Sequence, residues 1–147
     1  MPKSSKSFLF PDVNVWFALT HDGHVHHRVA AAWFESLHED ARITFCRITQ
    51  LSFLRLLTTE AIMGREVLFQ KKAWDVYDRW FDDSRIVFLE EPPTLEKLFR
   101  AYSRQTRPAS KDWADSYLLA FAQSADLRLV TFDRSLKHRA ASALLLH

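Results

Sequence analysis

The chain has 147 residues, 48% of them hydrophobic and 14% aromatic, enough for one sizeable core but short for two, so a single globular domain over 1–147 is expected and disorder is disfavoured. Twenty Lys and Arg against 18 Asp and Glu leave a formal charge of +2, too mild to mark a nucleic-acid binder by composition, so any basic surface must be local. The single cysteine, Cys46, excludes an intrachain disulfide and suits a reducing compartment.

The opening "MPKSSKSFLF" is basic, but its apolar run stops at Pro11-Asp12, far short of a signal-peptide core. No stretch reaches the ~20 apolar residues of a membrane span, so a soluble, cytoplasmic protein is expected. "SFLF" reads as a short strand and "VNVWFAL" as the turn and first helix after it. In "HRVAAAWFESL", Val29, Ala30, Trp33, Phe34 and Leu37 recur at helical spacing, and "RITFC" reads as a strand. Thr49 is placed to cap a helix carrying Leu51, Leu54 and Leu57. In "AWDVYDRWF" the stripe is Ala73, Trp74, Tyr77, Trp80 and Phe81, with Asp75, Asp78 and Arg79 off it.

"RIVFL" is a strand closed by Pro92-Pro93, after which Thr94 caps a helix presenting Leu95, Leu98, Phe99 and Tyr102. Ser110 is placed to cap a helix through "WADSYLLAFA". The strand "RLVTF", a short helix near "RSLKH" and a last strand, "ALLL", complete the chain. Strands separated by helices require crossover connections and hence a mostly parallel sheet covered on both faces: an α/β fold, a three-layer αβα sandwich. Such sheets place ligands beyond the carboxyl ends of their strands.

Asp12 directly follows the first strand, Asp133 directly follows "RLVTF", and Asp115 lies in the first turns of the helix between them, so all three fall at one edge of the sheet. Capping of a helix start accounts for Asp12 or Asp133 taken alone. At about 100° per residue, Trp113, Ala114, Tyr117, Leu118, Phe121 and Ala122 form an apolar arc. Asp115 falls at its margin, while Asp112, Ser116 and Gln123 fall on the solvated side. A carboxylate at that margin needs a cation or a donor, and no Lys or Arg adjoins Asp12 or Asp115 in sequence. A divalent metal answers that need, and oxygen-only ligation selects Mg²⁺ or Mn²⁺.

With these residues on the page, the chain resembles the PIN-domain ribonucleases, and among them the VapC-type toxins of toxin–antitoxin pairs. The resemblance rests on "FPDVNVWFALTHDGHVHHRVAAAWF", "ITQLSFLRLLT", "DSYLLAFA" and "LVTFDRSL", four motifs in order over about Phe8 to Leu136. It implies Mg²⁺- or Mn²⁺-dependent RNA cleavage by Asp12, Asp115 and Asp133 as metal ligands, with Asn14, Gln50 and Thr131 supporting them. Gln50 stands where many members carry Glu, which leaves three acids rather than four and puts tight binding of two ions in doubt. The resemblance also implies an antitoxin protein as partner and a homodimer, using an apolar groove near Trp33 and Leu54. Two basic clusters flanking "WADSYLLAFA", Arg104, Arg107 and Lys111, then Arg134, Lys137, His138 and Arg139, become candidate rails for RNA.

Other readings stand beside this one. His21, His24, His26 and His27 contain spacings for a Zn²⁺ pair, but no further ligands accompany them, and His27 reads better as a packed helix residue. Trp74, Trp80 and Phe81 read as core rather than as a base-stacking surface. A haloacid-dehalogenase-like phosphatase would want an acid where Asn14 stands. A PIN-fold RNA- or protein-binding module, weakened by Gln50, is the remaining alternative.

Overall fold

The computed structural model describes residues 8–147. The expectations for the basic N-terminal segment, and the Ser7 start of the "SFLF" strand, lie outside the described residues. Within them, strands β1 (Phe8–Pro11), β2 (Arg42–Phe45), β3 (Ile86–Phe88), β4 (Arg128–Thr131) and β5 (Leu144–Leu145) form one sheet in the order β3-β2-β1-β4-β5. Every pairing is parallel. Helices α1 (Val13–Thr20), α2 (His27–Glu35), α3 (Arg47–Leu57), α4 (Glu60–Met63), α5 (Gln70–Trp80), α6 (Leu95–Tyr102), α7 (Trp113–Ser124) and α8 (Arg134–Arg139) make the connections. No helix of the described residues is long and apolar enough to cross a membrane.

Alternation along the strands assigns two cores. Leu9, Ile43, Phe45 and Val130 face α1, α2, α3 and α5, whereas Phe10 and Leu129 face α6, α7 and α8. The result is a three-layer αβα sandwich. Phe10 stacks on Phe121 of α7 at 5.0 Å between ring centroids. On the opposite face Trp16 of α1 lies over Phe45 at 3.9 Å, with an interplanar angle of 13°. α1 buries five consecutive residues, Val15 to Leu19, which is why its sequence is apolar all round rather than striped.

Helix starts differ from the sequence reading in two places. Cys46, not Thr49, occupies the cap of α3; Thr49 sits three residues in, and its hydroxyl accepts from the Cys46 N–H at 3.0 Å. α7 is capped by Asp112 rather than Ser110. The region between α3 and α5, which carries no clear periodicity, holds α4 and a 3₁₀ turn joined at Gly64, whose φ of +58° suits a residue without Cβ. Within α5, Ala73 and Tyr77 are buried and Trp80 and Phe81 pack against the core, but Trp74 is 46% exposed. His27 is a packed helix residue, its Nδ1 2.7 Å from the Ala18 carbonyl oxygen, which ties α2 to α1.

Trp16 is fully buried, yet its indole N–H has no hydrogen-bond partner among the described residues. Trp16→Ala opens a large cavity and should cost about 3–5 kcal/mol. Trp16→Phe keeps the stack on Phe45 and removes the unpaired donor, so it should cost about 1 kcal/mol or less. Urea unfolding of both variants checks this ordering; equal losses would mean that ring volume alone sets the cost.

Candidate metal centre and acidic sheet edge

The register of β1 against β4 builds the centre of the site. Pro11 pairs with Val130, so the next residues along, Asp12 and Thr131, are neighbours where the two strands end. The Asp12 N–H donates to the Val130 carbonyl at 2.9 Å, and the Asp12 carboxylate caps α1. Its Oδ1 accepts from the Asn14 and Val15 N–H groups at 2.9 and 3.4 Å, while Oδ2 accepts from the Thr131 hydroxyl at 2.5 Å. Asn14 contributes through its backbone; its side chain is exposed.

The Thr131 hydroxyl is itself fixed, because it accepts from the Asp133 N–H at 2.9 Å and therefore points its proton at Asp12. Asp133 in turn caps α8: its Oδ1 accepts from the Ser135 N–H and hydroxyl at 2.8 and 2.7 Å. Capping is thus realised for both acids. It occupies one oxygen of Asp133, and Oδ2 has no partner among the described residues.

Electrostatics joins the third acid. Asp12 is 6% exposed, and burial pushes its carboxyl up to about 6 despite three hydrogen bonds, with the Asp133 charge adding to the rise. Asp115, half-buried in the first turn of α7, is also raised, first by burial and then by the Asp133 charge. Asp133 is held below the usual carboxylate range by its hydrogen bonds to Ser135. One ionised carboxylate therefore burdens two neighbours, and no cation among the described residues acts on Asp12. Oxygen donors under mutual repulsion are the chemistry a hard divalent ion matches. Among the described residues no group of three or more His, Cys, Asp or Glu side chains stands in a metal-holding arrangement, so one shared ion requires the carboxylates to draw together.

The surroundings correct several expectations. Asp112 and Ser116 are not on a solvated side of α7. Asp112 pairs with Arg139 at 2.9 Å, the Ser116 hydroxyl donates to Asp112 at 2.8 Å, and Arg139 also donates to the Tyr102 carbonyl and the Ser116 hydroxyl. Trp113 and Ala114, placed in the apolar arc, are exposed instead. The helical phase was displaced because α6 and this polar cluster cover the side expected to meet water. Arg139 supplies Asp115 with a nearby positive charge that sequence adjacency did not reveal.

Among the basic residues, Arg104, Arg107, Lys111 and Arg134 are exposed with no hydrogen bond or ion pair among the described residues. Lys137 is turned inward, its Nζ donating to the Ala141 and Ala143 carbonyls at 2.7 and 2.9 Å. Gln50 is buried in the first turn of α3. Its Oε1 accepts from Arg47 Nη1 at 2.6 Å. This partner is distinct from the three acids.

A family model described as PIN domain matches residues 9–142. Over 129 residues the chain is 43% identical to Ribonuclease VapC41 of Mycobacterium tuberculosis, an overlap of 85% of this chain and 88% of that protein. Among solved structures, Mycobacterium tuberculosis VapC20, described as a Sarcin-Ricin loop cleaving toxin, superposes with a TM-score of 0.65 at 15% identity, covering 90% of this chain and 95% of that one. VapBC2 from Rickettsia felis, bound to a fragment of promoter DNA, does so with a TM-score of 0.64 at 10% identity, covering 94% and 96%. The structural likenesses speak for the fold.

The raised Asp12 carboxyl sets a sign for stability. Its folded value of about 6 exceeds the ordinary 3.8, so the folded chain holds that proton more tightly than the unfolded chain does. Asp12 is then harmless below about pH 4 and increasingly destabilising as pH rises to about 6, by ~3 kcal/mol at most. Asp12→Asn keeps a good helix cap and removes this penalty. In chelator-treated protein its melting temperature should match the parent near pH 4 and exceed it at pH 7. A variant less stable than the parent at pH 7 would show that the carboxylate is already compensated.

Proposed function

The chain belongs to the PIN-domain family, and on that premise we propose that it is the ribonuclease toxin of a toxin–antitoxin pair, cleaving RNA at the acidic sheet edge. The observation that carries the reading is Asp12: a buried carboxylate, with no cationic partner among the described residues, sharing its end of the sheet with Asp115 and Asp133. The 43% identity to a ribonuclease over most of both chains supports the same activity.

Asp12, Asp115 and Asp133 would hold Mg²⁺ or Mn²⁺. When bound, such an ion neutralises charge on the phosphate and makes water a better nucleophile. The protein's own contribution is preorganisation. Backbone N–H groups of α1 and the Thr131 hydroxyl fix Asp12 in one orientation, and the Ser135 contacts fix Asp133. Arg139, locked to Asp112, keeps Asp115 from being neutralised by its acidic neighbours. Exposed Arg104, Arg107, Lys111 and Arg134 would bear the phosphate backbone. The relationship to VapC proteins supports an antitoxin protein as partner, a homodimer and residence in the cytoplasm.

Incubated with single-stranded RNA and Mg²⁺ or Mn²⁺, the protein should cleave it, whereas Asp12→Asn and Asp115→Asn should each lower the rate by at least ~100-fold, as expected when an electrostatic element of the transition state is lost. Circular dichroism would confirm that both variants remain folded. Expressed alone, the parent should arrest bacterial growth and Asp12→Asn should not. Parental rates in either variant would move the activity elsewhere.

Arg47 changes what a fourth acid at position 50 would do. An unpaired carboxylate there would tighten Mn²⁺ binding by roughly 1–2 kcal/mol once desolvation is deducted. The Arg47 guanidinium already lies 2.6 Å from the Gln50 oxygen, so Gln50→Glu alone should gain less than that, and Gln50→Glu combined with Arg47→Met should gain more. Titration calorimetry distinguishes the two. Equal affinities would mean that Arg47 does not neutralise the new charge.

A further inference from the structure

A second feature extends from the acidic edge. Arg107, Pro108, Ala109, Ser110 and Lys111 line a depression of about 420 Å³ beside Asp115. It meets a smaller one reaching Ser103, Gln105 and Trp113, and this opens into a groove of about 760 Å³ between α6, α7 and the residues after β3. Adjacent depressions share lining residues: Arg107, Pro108, Ala109 and Asp112 at the first junction, Ser103, Gln105 and Trp113 at the second. The three depressions therefore adjoin one another around the start of α7, from a proposed metal ligand to an aromatic recess.

That recess has the parts of a base-binding site. Trp113 is 56% exposed, in a protein whose Trp16 is fully buried, and is braced by Phe99 at 6.0 Å in an edge-to-face arrangement. Phe99 also meets Tyr117 edge-to-face at 5.7 Å. The Tyr117 hydroxyl donates to Glu91 Oε1 at 2.9 Å, which orients that carboxylate in the groove and leaves Oε2 without a partner among the described residues. Arg104 stands on the rim, and Arg107 and Lys111 line the way back to Asp115. Aromatic rings, a lone acceptor and cations along the approach match an unpaired nucleotide: stacking for the base, hydrogen bonding for its edge, charge for its phosphates.

We propose that the groove between α6 and α7 is a nucleobase subsite, in which an unpaired base of the RNA strand stacks on Trp113 with its Watson–Crick edge toward Glu91 while the backbone follows Arg107 and Lys111 to Asp115. The subsite rests on the ribonuclease reading above. Guanine is the favoured base, because it alone presents two adjacent N–H donors, which Oε2 and the second lone pair of Oε1 can accept together. Glu91 thereby acts as a specificity-determining residue rather than a catalytic one.

The test uses full-length protein and 5′-fluorescein RNA octamers, all-uridine or with one guanine at successive positions, read by anisotropy in Ca²⁺ buffer and checked for intactness on gels. A guanine at one position should tighten binding about tenfold, as one good base-edge contact does. Trp113→Ala should weaken every octamer by about 5- to 100-fold, Trp113→Phe should retain most of the affinity, and Glu91→Gln should bring the ratio of guanine-octamer to all-uridine affinity down to about one, whatever it does to RNA binding in general. Circular dichroism of Trp113→Phe and Glu91→Gln guards against misfolding. If the parent binds and cleaves RNA and Trp113→Ala does so equally well, the subsite is overturned and the ribonuclease reading survives. If the parent neither binds nor cleaves any RNA, both fall. If Trp113→Ala instead loses only a protein partner, the groove is a protein-docking face and the subsite is likewise overturned.

Discussion

The hydroxyl of Thr131 holds the site together. It donates to Asp12 at the end of β1 and accepts from the backbone of Asp133 beyond the end of β4, so the Asp12 carboxylate and the Asp133 main chain, from distant parts of the chain, are tied to one oxygen. This geometry follows from the parallel pairing of Pro11 with Val130, since only neighbouring strands running the same way bring both carboxyl ends, and the helix starts that follow them, to one edge. A threonine suits the position because its single hydroxyl can donate and accept at once while its methyl group stays in the core.

Capping and ion binding are compatible uses of the same carboxylates. A carboxylate has two oxygens, and in Asp133 the cap uses one and leaves the other free. Burial then acts on what capping does not compensate. With its carboxyl pushed up to about 6, Asp12 ionises at neutral pH only at a cost, which in a structural residue would be a pure loss of stability and in a ligand is relieved whenever a cation arrives. Asp115 is treated differently: it has no cap to make, but Arg139 stands near it, itself held by Asp112, Ser116 and the Tyr102 carbonyl. The third acid is carried in the first turn of α7, beside the Asp112–Arg139 ion pair, rather than at a strand end.

Much of this was legible in the residues. The order of strands and helices, the parallel sheet and the placement of Asp12, Asp115 and Asp133 at one edge came from periodicity and from acids following apolar runs. Departures cluster where packing, not spacing, selects a side chain's partner. The Asp112–Arg139 pair joins positions 27 apart, and Gln50 turns to Arg47 of its own helix. Lys137, chosen as an RNA contact for its charge, donates to carbonyls of the turn before β5. Helical phase puts Trp113 in the apolar arc of α7, yet it is exposed, because phase counts apolar residues and does not encode which side a neighbouring helix covers.

What the sequence alone determined is local: where strands end and which acids begin helices. Those features depend on nearest neighbours and on a period of 2 or 3.6 residues, and both are written in the chain. Tertiary structure decided which charges meet, which aromatic ring stays in water, and how far each carboxyl is displaced from its ordinary value. These are properties of the space between elements. Burial and Coulomb energy depend on distances across the fold, such as that from Asp133 to Asp12 and Asp115, which no spacing along the sequence encodes.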